Sequence, residues 1–158
     1  IKERIENGLL DMGLVTEPVD ISKYNFFRLP QKEQWGILVH EKHRLAQKTF
    51  ITPDDLINEP LIIAKRTAVQ NELINWFNNS SEKLNIVATY NLILNAANMV
   101  KHQICVALCF NLNFDNLYQD LRFIPLFPEI KTGAVLIWKK NHIYSQTMSH
   151  FIKSIKNA

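Results

Sequence analysis

What most constrains this chain is the order in which apolar runs and helix signals alternate. Residues 9–15 read LLDMGLV, an almost unbroken apolar run preceded by a short helical segment, residues 2–7, which Gly8 stops. Glycine takes the left-handed conformation beyond a helix end at little cost, so it marks the stop. Residues 26–29 and 35–39 are the next strand candidates. Thr52-Pro53-Asp54-Asp55 then opens a helix with an N-cap threonine, a proline at the first helical position and acids near the positive helix end. Pro60 closes that helix and residues 61–64 resume a strand. Near-continuous apolar strands separated by helices belong to sheets covered on both faces, which predicts an α/β fold with parallel pairing.

The rest of the chain repeats the theme. Val69, Leu73, Trp76 and Phe77 recur at helical spacing and predict one apolar stripe. Residues 85–89 predict a strand. Asn91 is placed to cap a helix whose inner face is Leu92, Ala96, Met99 and Val100. Residues 104–110 form an unbroken apolar strand, and residues 115–120 a short helix. Strands follow at 122–127 and 134–138. Tyr144, Met148, Phe151, Ile152 and Ile155 make the stripe of a closing helix. No internal repeat or Gly/Ser linker interrupts the series, so a lobe boundary has to be a tight crossover rather than a tether.

Composition removes several classes of function. The net charge is +3 and the Lys and Arg are scattered, whereas gripping a nucleic-acid backbone needs a concentrated basic face. No apolar run approaches the ~20 residues that span a bilayer, and no signal-peptide pattern is present. The two cysteines, Cys105 and Cys109, lie in an apolar run; a single Cys-x3-Cys pair lacks the four ligands of a structural zinc site. They read as buried free thiols of a reducing cytoplasm.

Two loops are nominated for ligand binding. In open α/β sheets small molecules sit outside the carboxyl ends of strands, where helix N-termini offer unpaired N–H groups. One such loop is Lys65-Arg66-Thr67, and the other is Thr89-Tyr90-Asn91. Together they would cradle a carboxylate. The plainer reading stands beside it: Thr67 and Asn91 are ordinary helix caps, and Lys65 and Arg66 are solvated.

The ordered segments LLDMGL (residues 9–14), HRLA (43–46) followed by the run from Asp55-Leu56 to residue 63, and MVKHQICVALCF (99–110) resemble the effector-binding domain of LysR-type transcriptional regulators. The resemblance covers nearly the whole chain. It implies an α/β fold of two Rossmann-like lobes with a central cleft, like a type 2 periplasmic-binding protein, the first lobe incomplete at its N-terminus. The implied lobes are residues 1–60 with 127–158, and residues 61–126; the winged helix-turn-helix that binds DNA lies outside this chain. Two departures stand out. His102, Gln103, Ile104 and Cys105 replace the glycines that the family places between this helix and the next strand, and Cys109-Phe110 replaces its Leu-Pro. Carried over residue by residue, the resemblance implies that an effector touches Arg66, Thr67, Thr89, Tyr90 and Asn91, with Phe110 bordering the cleft near Phe127. Glu17 and Pro18 would face them from the first lobe.

The function so implied is sensing of a small, anionic metabolite to control DNA binding and transcription. The implied partners are the effector, a second copy in a dimer or tetramer, and DNA reached only through the missing domain. No cofactor, metal or membrane enters, and the implied location is cytoplasmic. Catalysis finds no support in the residues. HEKH (residues 40–43) spaces its histidines i, i+3, whereas a zinc-binding HEXXH helix needs i, i+4. Asp54 and Asp55 are adjacent on a helix and do not face one another. No P-loop or GxGxxG occurs. Two other readings stay open: a stand-alone solute-binding protein of the same fold, and a degenerate fragment without a ligand.

Overall fold

The computed structural model describes residues 1–66, 70, 73, 75–77, 83–114 and 118–156. The expected Val69 position, Thr67 and the core of the 115–120 helix lie outside the described residues, whereas Leu73, Trp76 and Phe77 are buried as their spacing predicts. The chain divides into two compact units, Ile1–Lys32 with Thr132–Ala158, and Glu33–Lys131.

In the first unit, helix α1 (Lys2–Glu6) ends in a Schellman motif: Gly8 N–H donates to Ile5 O (3.1 Å) and Leu9 N–H to Arg4 O (2.8 Å), with Gly8 at φ 68°. Strand β1 (Met12–Thr16) pairs antiparallel with β7 (Lys131–Lys139), Gly13 opposite Ile137 and Val15 opposite Val135. The apolar run at residues 9–15 is therefore a strand only from Met12 onward; Leu9 and Leu10 are exposed after the helix stop. Its partner is antiparallel and its residues are at most half-buried, so near-continuous apolarity here does not report strand direction. Ile5, Tyr24, Val135 and Ile137 form the core, and α4 (Gln146–Lys156) adds Met148 as its buried residue.

Residues 26–29 and 35–39, expected as two strands, belong to one, β2 (Tyr24–His40). The polar stretch Gln31-Lys32-Glu33-Gln34 mimics a turn in sequence, yet it is extended and mostly exposed. The change of unit falls within this strand, at residues 32/33, and again at 131/132. Residues 33–60 and 127–131, assigned with the first lobe by resemblance, thus fold with the second unit. The reason is that Trp35–His40 supplies an inner strand of that unit's sheet, between residues 106–110 and residues 121–125.

The second unit is built around that strand. β2 pairs antiparallel with β5 (Val106–Phe110) on one side and with β6 (Leu121–Pro125) on the other; β5 pairs parallel with β3 (Pro60–Ala64), and β3 parallel with β4 (Asn85–Tyr90). The two faces carry separate cores. Trp35, Ile37, Leu61, Leu108, Trp76 and Phe77 pack on one; Leu38, Ile62, Ala107, Cys109 and helix α3 (Ile93–Lys101) pack on the other. This alternation is the period-two geometry of a strand. Burial raises the thiol pKa of both Cys105 and Cys109, which are free.

The HEKH segment is structural. His40 Nδ1 accepts the Lys42 N–H at 3.1 Å, and His43 Nδ1 accepts the Leu45 N–H at 3.3 Å, capping a short 3-10 turn (Arg44–Gln47). His43 Nε2 lies 3.3 Å from the buried Glu59 carboxylate, which also pairs with Arg44. Helix α2 (Pro53–Leu56) starts as expected: Asp55 Oδ2 accepts both the N–H and the hydroxyl of Thr52, each at 3.0 Å, and Lys48 Nζ reaches Asp55 Oδ1 at 2.5 Å.

Helix α3 ends without glycine. Gln103 takes φ 57° and donates to Val100 O (2.8 Å), while Ile104 N–H donates to Met99 O (3.1 Å), a Schellman motif with glutamine in the left-handed position. Since a side chain there costs about 1–2 kcal/mol and glycine adds unfolded-state entropy, Gln103→Gly is expected to gain a net 0.5–1 kcal/mol, roughly. Urea denaturation of the two chains checks this.

Candidate functional site

The parallel pairing of β3 and β4 brings both nominated loops to the same sheet end. Ala64 stands opposite Tyr90 in the register, and Lys65 N–H donates to Tyr90 O at 2.9 Å. Gln70 holds the first loop from the other side, its amide donating to Ala64 O (3.0 Å) and its N–H to Arg66 O (3.0 Å). Arg66 is exposed on this loop.

Beyond β4 the chain turns directly into α3, and the groove between the two is a pocket of about 320 Å³. Ile62 and Ala88 form its floor, and Leu92, Ala96 and Met99 its apolar helical wall. Thr89, Tyr90, Asn91 and Asn95 supply the polar lining. Residues 92, 95, 96 and 99 share one helix face, since positions three and four apart are neighbours. The structure therefore collects Thr89, Tyr90 and Asn91, all three expected from sequence, around one cavity.

Their roles differ from the expectation in two respects. The N-cap of α3 is Leu92 (φ −120°), not Asn91, and no side chain caps the helix. Asn91 stands one residue earlier, which leaves its amide at the pocket rather than folded onto the helix. Leu92, expected on the inner helix face, is 54% exposed. Tyr90 is committed to the fold: its hydroxyl donates to Leu108 O at 2.7 Å, and burial, with a lesser effect of Cys109, raises its pKa. Its ring can shape the cavity wall, but its proton is engaged. Among the described residues, Thr89, Asn91 and Asn95 make no side-chain hydrogen bond within the protein.

Phe110 belongs elsewhere. It packs against the other face of the sheet, 4.3 Å from the Trp35 ring, whereas the pocket lies on the α3 face. Phe127 pairs with Phe50, centroids 5.3 Å apart. In β5 residues 106, 108 and 110 share a face by strand alternation, so Phe110 follows Val106 and Leu108 into that core.

Glu17 and Pro18 sit in the first unit, just past β1, joined by a cis peptide bond. The Glu17 N–H donates to Gly133 O (2.9 Å), and its carboxylate accepts from Arg28 Nε at 3.0 Å. A Cβ on residue 133 would come 2.5 Å from Glu17 Oε2, so the glycine gives the carboxylate its place. Phe26 lies under the Arg28 guanidinium, 4.7 Å away. Sequence reasoning missed Arg28 because its partner is eleven residues away. Asn95 was missed although it carried a signal, a lone amide among Leu92, Ala96 and Met99 on an apolar helix stripe.

Among the described residues no group of three His, Cys, Asp or Glu is arranged to hold a metal ion, and no helix is long and apolar enough to cross a membrane.

Over residues 1–158 the sequence matches the family described as LysR substrate binding domain. No curated protein matches it in sequence. Similar solved structures include the effector binding domain of QuiR in complex with shikimate, at 15% identity and TM-score 0.84, covering 98% of this chain and 74% of that one. The BenM effector binding domain with its effector benzoate is similar at 18% identity and TM-score 0.73, with 99% and 72% covered. HinK, a LysR family transcriptional regulator from Pseudomonas aeruginosa, is similar at 18% identity and TM-score 0.78, with 98% of this chain covered. The chain spans 56% of the length of HinK. At these identities the likeness is one of fold.

Proposed function

The chain belongs to the LysR substrate-binding domain family, and from that premise we propose that it is the effector-binding, regulatory domain of a LysR-type transcriptional regulator. The carrying observation is the pocket where β4 turns into α3, lined by Thr89, Asn91 and Asn95 with their hydrogen-bonding groups turned to no protein partner among the described residues. The effector is a small metabolite bearing an anionic group. Arg66 on the adjoining loop and the N-terminal amides of α3 favour a carboxylate near the mouth. That similar domains are seen with shikimate and with benzoate supports this class of ligand.

In this reading Thr89 and Asn91 contact the effector directly, Tyr90 shapes the wall, and Arg66 with Thr67 draws the charge. The domain carries out no catalysis and works in the cytoplasm. It assembles with copies of itself, and acts on DNA through a helix-turn-helix domain outside this chain. Binding alters transcription only as far as the effector has unequal affinity for two arrangements of the regulator.

Thermal denaturation of the chain against a panel of small carboxylates tests the site. A ligand at a hundred times its Kd stabilises by about 2.7 kcal/mol, roughly 5–10 °C for a chain of this size. At least one carboxylate is expected to give such a rise, and Thr89→Val with Asn91→Leu to abolish it. A panel without any effect, or a rise of equal size in the variants, would overturn the reading.

A further inference from the structure

The lining of the pocket specifies more than that something small binds. Among the described residues no Lys, Arg, His, Asp or Glu lines it, and the one titratable group of that lining, Tyr90, has its hydroxyl fixed on Leu108 O. The floor and helical wall are aliphatic or thioether, while Thr89, Asn91 and Asn95 offer one hydroxyl and two amides. An amide presents two donors and an acceptor, so these groups read hydroxyl, carbonyl and amide functions without charge. Arg66, in the neighbouring loop, is not a lining residue.

We infer that the part of the ligand held in this pocket is uncharged: an apolar ring or short chain carrying hydroxyl, carbonyl or amide groups, with at most one anionic group kept at the loop that holds Arg66. The inference rests on the effector-binding reading above and narrows it from small anions in general to singly charged, amphipathic ones. Metabolites with two or more carboxylates or phosphates are disfavoured, because a second charge would lose hydration against Ile62, Ala96 and Met99 without meeting a counter-charge among the described lining residues. Selectivity therefore comes from an unpaired charge in the wrong ligand as much as from contacts to the right one.

Three compounds of one shape test this on the full chain by nitrogen-15 chemical-shift titration: cyclohexanecarboxamide, cyclohexanecarboxylate and cyclohexane-1,4-dicarboxylate. The amide and the monocarboxylate are expected to shift the backbone signals of Thr89, Asn91 and Asn95. The dicarboxylate is expected to bind at least about tenfold more weakly, the loss that one unpaired, partly desolvated charge brings. Asn95→Lys, on an exposed position of α3, is expected to reverse the order by supplying the missing cation. If the dicarboxylate shifts the same signals at equal or lower concentration in the unaltered chain, the ligand class is wrong while the effector site stands. If none of the three compounds shifts these signals, the pocket is not the effector site, and both readings fall.

Discussion

Replacing Trp35 by alanine is expected to destabilise the chain by about 4 kcal/mol and to lower its Tm by roughly 8–16 °C, within the range for large aromatic residues removed from a core. Trp35 is 1% exposed and sits on the strand that both flanking strands use as their template. Its ring lies against Phe110 at 4.3 Å, in the core that also holds Ile37, Leu61, Leu108 and Phe77. Its backbone survives the change, since its N–H donates to Ile130 O at 3.0 Å and its carbonyl accepts from Leu126 N–H at 3.1 Å. The effect is thus a cavity with the ladder intact, which is why a loss well below complete unfolding is expected. Trp35→Phe keeps an aromatic partner for Phe110 and should recover about half of the loss. Chemical denaturation of the three chains measures both steps.

Gly36→Ala adds one carbon and is expected to cost about 3 kcal/mol, the upper part of the usual overpacking range. A Cβ at residue 36 would lie well inside 3.0 Å of both the Phe123 ring and the Ile124 carbonyl oxygen. The ring can turn, but the carbonyl belongs to β6, whose Pro125 stands opposite Gly36 in the ladder, and Cys109 of β5 stands on the other side. With backbone on both flanks, β2 has no direction in which to yield. Gly8→Ala makes the contrast: open space surrounds Gly8, so only its φ of 68° is penalised, at about 1 kcal/mol. A Tm loss at Gly36 that is no larger than the loss at Gly8 would contradict this packing.

These two residues show what the sequence discloses and what it hides. Trp35 reads as core from its apolar strand alone. Gly36 does not, because the obstacle is a carbonyl some ninety positions along the chain. The helix stops at Gly8 and the start at Thr52 were legible, since capping is local chemistry within a few residues. The single long strand β2 was not, because the polar residues 31–34 imitate a turn. In the site, Thr89, Tyr90 and Asn91 were found because the end of a strand before a helix is a local signal. The placing of Phe110 on the opposite face depends on strand parity, which the same sequence supplies once the strand is known. Arg28 beside Glu17 needed the structure, as did the commitment of the Tyr90 hydroxyl to Leu108. The boundary at residues 32/33 also escaped, since it falls inside one continuous strand, in the polar stretch that reads as a turn.

The most direct measurement is DNA footprinting with the whole protein that carries this domain, on genomic DNA fragments, with and without a carboxylate that stabilises the chain in the thermal assay. A ligand with equal affinity for two arrangements shifts nothing, however tightly it binds. A footprint that changes in extent or occupancy with the ligand is expected, and Thr89→Val with Asn91→Leu should lose that change while still binding DNA. An identical footprint at saturating ligand, or a parent protein that binds no DNA at all, would contradict the regulatory function proposed for this domain.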